Sequence, residues 1–222
     1  MRKLFEIGGV VAAAILIAFG VTSIVMGVDG RNTVHKNLGQ ELIVGTPDMT
    51  PAAIAKEAKE AGLPSSVDLP TVAVAGKKID TGERARAFVS YMRVHALEAW
   101  SGLTYAQMGR WVAKPGTPAK FTDGQGATSV EDWALVDAKT KQPVENGARN
   151  LWVTETALST ALNTSYMASR ISLFGNVMGV ALLLAGIGFA ILAVGGALRN
   201  PETALTFLHR GDKRGVTVAP VA

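Results

Sequence analysis

The apolar positions of this chain gather into two unbroken runs near its ends and into periodic stripes between them. Ile7 to Val28 is 22 residues without a charge, and Ile171 to Leu198 is 28. A helix crosses a bilayer core with about 20 apolar residues, so each run predicts a membrane span. Backward from the second run, Asn150 to Arg170 contains neither proline nor glycine. Leu151, Leu158, Ala161, Leu162 and Ala168 recur there with helical spacing. One uninterrupted helix is therefore predicted from about Gly147, after Pro143, to Leu198. Asp80 to about Trp100 predicts another helix. Asp80 serves as N-cap, Glu83 completes a capping box, and Gly102 ends it. Its apolar stripe reads Phe88, Met92, His95 and Ala99. A shorter helix opens at Thr50-Pro51 and stops at Gly62. Glu41 to Val44, Thr71 to Ala75 and Trp133 to Val136 are extended runs suited to a small sheet. Lys114 to Gln125 is loop.

The flanking charges orient these elements. Arg2 and Lys3 precede the first run; Arg199, Arg210, Lys213 and Arg214 follow the second. Positive charge collects on the cytoplasmic side, which places both termini inside and residues 29–170 outside. The two tails hold six basic and three acidic residues. The chain totals of 22 and 18 therefore leave 16 and 15 for the outer segment, a net of +1. The excess positive charge matches anionic lipid rather than a nucleic-acid surface. A cleaved signal peptide is the rival reading of the first run. That run is longer than the usual signal core, and no A-x-A site follows it. The expected organisation is a cytoplasmic N-terminus at 1–6, spans at 7–28 and 171–198, an extracytoplasmic domain at 29–170, and a basic cytoplasmic tail at 199–222. The fold class is a mainly α membrane protein. Its second transmembrane helix continues as a long helix into an α-rich extracytoplasmic domain with a small β element.

Small residues are dense in both spans. Gly8/Ala12, Gly9/Ala13 and Ala14/Ala18 form small-xxx-small pairs, and Gly175 with Gly179 makes a GxxxG. Such residues let helix backbones approach where lipid supplies no hydrophobic drive. Gly8, Ala12, Gly175 and Gly179 are the helix-contact candidates. Asn176 is the one strongly polar side chain of the second span, placed to meet headgroups or the first span.

Composition narrows the chemistry. Charged residues make up 18% of the chain, against about 25% in soluble domains. The chain has no cysteine, so disulfides, thiol catalysis and thiolate metal sites are excluded. Of three histidines, His209 lies in the tail, which leaves His35 and His95 for the outer domain. His95 and Glu98 share the His-x-x-Glu spacing of one helix face and are the ligand-site candidates. The simpler expectation packs His95 beside Phe88 and Met92 and turns Glu98 to water. Phosphate-binding loops and a G-x-S-x-G elbow are absent from the sequence. Gly124-Gln125-Gly126 reads as a turn. Asn163-Thr164-Ser165 matches a glycosylation sequon but lies on a predicted helix. Trp100, Trp111, Trp133 and Trp152 lie outside the spans and read as core anchors. No catalytic residue, metal or cofactor is expected.

The segment Tyr91-Met92-Arg93-Val94-His95-Ala96-Leu97-Glu98-Ala99, followed by Gly102-Leu103-Thr104-Tyr105-Ala106-Gln107-Met108, belongs to a wider pattern. Together with Ala148 to Trp152, Ala157 to Leu162 and both spans, it resembles a family of uncharacterised actinobacterial two-span membrane proteins. Some members carry an aromatic ring-opening dioxygenase label. The resemblance covers most of residues 1–198 and implies a cell membrane with an outward-facing domain. It brings no catalytic residues, and two outer histidines are too few for the iron site that label implies. The expected role is a non-enzymatic envelope protein, an accessory subunit or homo-oligomer whose partners are the bilayer and another protein. The alternative is an extracytoplasmic ligand-binding sensor or envelope enzyme using the region around His95 and Glu98.

Overall fold

The computed structural model describes residues 2–195. The expected end of the second span at Leu198 and the basic tail at 199–222 lie outside the described residues. The chain is mainly helical: α1 spans Arg2–Gln40, α2 Pro51–Glu60, α3 Gly82–Ala99 and α4 Gly147–Val194. A two-residue antiparallel pair, β1 (Trp111–Val112) with β2 (Ala127–Thr128), is the sheet. α1 and α4 are both long and apolar enough to cross a membrane. Contacts divide the chain into two compact units. Among the described residues, one joins 2–30 with 171–195, and the other is Arg31–Arg170.

In the first unit, α1 buries Gly9, Ala13, Gly20 and Gly27, with Leu16 and Ser23 half-buried between them. α4 buries Gly179, Gly186 and Ala193, with Ser172, Asn176, Leu183 and Ala190 half-buried on the same line. Steps of three and four alternate on both helices, which is the seven-residue repeat of two helices sharing one seam. The helices run antiparallel and close. A Cβ on Gly20 would lie 2.7 Å from the Leu183 nitrogen, and one on Gly179 would lie 2.8 Å from the Gly20 carbonyl oxygen. Gly186 faces Ile17 and Ala13, and Gly27 faces Asn176 and the Ser172 carbonyl. Asn176 thus meets α1. Gly175 is in ordinary contact, 3.7 Å from the Ser23 oxygen. Gly8 corrects the expectation: it is exposed with nothing near its Cβ position, and Ala12 is only half-buried. The neighbouring pair Gly9/Ala13 carries the seam, because a one-residue step turns a helix position by about 100°.

The second unit builds its core from Val34 and Leu38 of α1, Ile54 and Ala58 of α2, Tyr91 and Val94 of α3, and Leu162 of α4. A smaller cluster joins Leu97, Met108 and Trp152. α2 begins where the sequence indicates: the Thr50 hydroxyl accepts the Ala53 N–H, and Gly62 turns the chain at φ +65°. α3 is capped by Thr81, whose hydroxyl accepts the Arg84 N–H, and not by Asp80. Asp80 instead pairs with the Arg84 guanidinium at 2.6 Å. The buried face of α3 is Ala85, Tyr91, Val94 and Leu97 rather than the Phe88–Ala99 stripe. Tyr91 decides this face: its ring is fully buried and its hydroxyl donates to the Val72 carbonyl at 3.2 Å.

α4 also buries a different stripe from the one its leucines suggest. Trp152, Leu162 and Ser169 are buried, whereas Leu151 and Leu158 are 58% and 40% exposed. The extended runs at 41–44, 71–75 and 133–136 make isolated bridges, including Val44 with Lys78 and Gly45 with Ala75. α1 takes up residues as far as Gln40, and Leu42 sits in a left-handed turn at φ +54°, leaving too little chain there for a strand. Of the tryptophans, Trp152 is buried, Trp133 stacks on Phe121 at 5.7 Å, and the other two are half-buried.

Two consequences are measurable by thermal unfolding in a fixed detergent. Leu162→Ala should cost about 2–5 kcal/mol, as for a truncated core leucine. Leu158→Ala should stay within about 0.5 kcal/mol, because its side chain faces outward. In the other unit, Gly179→Leu should cost at least about 1–3 kcal/mol, since the added atoms meet the Gly20 carbonyl oxygen and the Ile24 nitrogen as well as the Ile24 side chain, and the backbone atoms cannot turn away.

Candidate functional site

The described residues bring together one constellation of donor groups, and it is centred on His95. Three elements deliver it. His95 stands on α3, one step from the buried Val94, so its ring lies at the edge of the core. Glu57 stands on α2, beside the buried Ala58 and three residues after the buried Ile54, on the side of the helix that packs on α3. Asp48 lies in the connection ahead of α2, two residues before its Thr50 cap.

The backbone around Asp48 is held firmly. The adjacent Met49 is 4% exposed, and its carbonyl accepts the N–H groups of both Val74 and Ala75, at 3.1 and 3.2 Å. Gly45 donates to the Lys77 carbonyl at 3.0 Å and accepts from Gly76 at 2.8 Å. Only glycine fits at position 45, because a Cβ there would run into the Val74 carbonyl. Asp48 is therefore presented from a chain segment pinned on both sides.

The geometry is compact. His95 Nε2 lies 3.0 Å from Asp48 Oδ2 and 3.4 Å from Glu57 Oε2. One donor atom from each of the three residues falls within 4.8 Å of the others. The Nε2 atom is sealed from solvent and makes no hydrogen bond, although two carboxylates stand beside it. All three side chains are partly exposed, so the cluster opens at the domain surface. A hydrogen bond from the Thr46 side chain is the main influence holding the Asp48 carboxyl below its ordinary pKa. Partial burial opposes it, while the Asp48 backbone N–H and the charge of His95 add to it.

Of the two residues singled out by spacing, His95 is in the cluster and Glu98 is not. Glu98 is exposed, and the carboxylates beside His95 come from other elements. Asp48 and Glu57 are not legible in the sequence as its partners. They lie 47 and 38 residues upstream, on separate elements, at no local spacing that marks a ligand set. His35 stands elsewhere, its Nδ1 2.7 Å from the Asp80 carbonyl oxygen, a contact that ties the end of α1 to the start of α3. No protein-family model, curated protein or solved structure matches this chain. The site is therefore argued from its own chemistry.

The depressed Asp48 pKa sets a pH dependence. Its folded value lies below the unfolded value of about 3.9. Its contribution is thus fully present above about pH 4 and is lost as pH falls through the folded value. Asp48→Asn should lower the unfolding midpoint at about pH 7, measured in chelator. The gap from the native chain should narrow as pH falls below about 4 and close below the folded value.

Proposed function

We propose that this chain is a two-pass protein of the cell membrane. Both termini face the cytoplasm, residues 29–170 lie outside, and the protein acts through interaction rather than catalysis. The observation that carries the membrane reading is the side-chain exposure of the two long helices. Only 17% of the apolar window of each is buried. Phe19 and Met26 on α1 and Phe174 and Ile191 on α4 turn outward, each more than 60% exposed. A helix of this composition at the core of a soluble protein would be mostly buried. Outward-facing side chains of this size suit hydrocarbon, not water. The basic flanks support the orientation. The resemblance to actinobacterial two-span proteins agrees with it.

The interaction reading draws on α4 beyond its span. Leu151, Val153, Leu158 and Met167 are all at least 40% exposed in a segment that also carries Thr156, Thr160 and Thr164. An accessory subunit or a homo-oligomer would bury such side chains against a partner. The alternative, a ligand-binding sensor or envelope enzyme around His95, gains from the two carboxylates beside it and loses Glu98.

Topology is testable with single cysteines, since the native chain has none. A cysteine at the exposed Ser129 should react with an impermeant thiol reagent on intact cells, and one at Thr206 should not. Reaction at Thr206 alone would reverse the orientation. For the interaction reading, Leu158→Arg should reduce the size of the complex seen in mild detergent while leaving the helical content unchanged. A native chain that runs as a monomer, unaffected by this change, would remove it.

A further inference from the structure

We infer that Asp48, Glu57 and His95 bind a divalent transition-metal cation of the zinc class, through Oδ2, Oε2 and Nε2, with water completing the coordination. The inference concerns the chemistry of this site alone and stands whichever way the domain faces and whether or not it signals or catalyses. Three observations lead to it. The first is the donor set. One imidazole nitrogen and two carboxylate oxygens supply a formal charge of −2 and the mixed nitrogen–oxygen environment that zinc and its neighbours accept. Calcium and magnesium favour oxygen-only shells and are disfavoured by the imidazole.

The second observation is spacing. Ligands about 2.0–2.1 Å from a tetrahedral zinc stand roughly 3.3 Å from one another. The nitrogen here is 3.0 and 3.4 Å from its two oxygens, so little movement is needed to admit an ion. The third is the state of the nitrogen. His95 Nε2 is enclosed and without a hydrogen bond although acceptors are in reach. A neutral imidazole there faces two carboxylates without an aligned hydrogen bond, and two carboxylates within 4.8 Å of each other repel. One cation between the three groups removes both penalties. A proton shared by His95 and the acids is the competing occupant. It would make His95 an ion-pair partner of Asp48 and Glu57 at 3.0 and 3.4 Å, and titration with Zn²⁺ decides between the proton and the metal.

The ion would join three separate stretches of chain: the segment before α2, α2 itself and α3. Its binding would therefore order the α2 face of the domain as well as fill the site.

The test uses the full chain in detergent, carrying no polyhistidine tag, titrated with Zn²⁺ alone by calorimetry. One ion per chain is expected with a Kd of about 10 µM or tighter, accompanied by a rise in melting temperature. Millimolar Mg²⁺ or Ca²⁺ should not displace it. Asp48→Asn and Glu57→Gln keep side-chain shape while removing one carboxylate charge each, and His95→Gln removes the imidazole nitrogen. With helical content unchanged, each should weaken binding at least about 10-fold and abolish the thermal shift. Native binding weaker than about 1 mM would overturn the proposal. So would undiminished binding in any one of the three variants, since that donor would then hold no ion. Because the readout is binding, its failure leaves the membrane and interaction readings standing, and theirs leaves this one standing.

Discussion

The antiparallel pairing of glycine faces on α1 and α4 is the constraint on which the first unit depends. Between two helices this apolar, close association rests on how nearly the backbones can approach. Gly20, Gly179 and Gly186 permit that approach because each Cβ position is already occupied by the opposing helix. Every seventh residue on α1 from Ala13 to Gly27 is small, as is every seventh on α4 from Ser172 to Ala193. The same two helices then change chemistry. In the second unit they contribute Val34, Leu38, Trp152 and Leu162, large side chains that give α2 and α3 an apolar surface to pack on. Small residues bring backbones together in one unit, and large ones fill a core in the other.

The His95 cluster follows from how α2 and its leading segment are held. α2 is only ten residues long and would be marginal alone. Its hold comes from the Thr50 cap, from Ile54 and Ala58 in the core, and from Met49, whose carbonyl takes two N–H groups. Those same restraints bring Asp48 and Glu57 up to the imidazole. Three polar groups converge at the edge of an apolar core because the core residues beside them, Met49, Ala58 and Val94, are fixed.

The chain announces its helices more clearly than their faces. Thr50-Pro51 with Gly62, and Pro143 with Gly147, are local signals with a direct physical reading, and both mark helix limits well. The faces depend on what lies opposite. Tyr91 lies off the Phe88–Ala99 stripe, yet its hydroxyl reaches the Val72 carbonyl and its ring is the centre of α3's buried side. Leu158 reads as core by hydrophobicity, yet Leu162 holds the inward position and Leu158 does not. Asp80 and Thr81 are both competent caps. The salt bridge to Arg84 takes the first and leaves the second to cap. The cluster is least legible because its members meet only after α2 has docked on α3, a long-range event that leaves no mark on local spacing.

The seam between α1 and α4 has a consequence for the order in which the chain is made. Gly27 and Ser172 face each other, yet 144 residues separate them in the sequence. At about 5–20 residues per second, the glycine face of α1 waits roughly 7–30 seconds for its partner to be synthesised. During that interval the face is complete and unpaired. The α4 of an earlier copy of the same chain would present that face with the same contacts. Crowding of nascent copies would then favour exchanged pairs, in which α1 of one molecule closes on α4 of another through the same contacts.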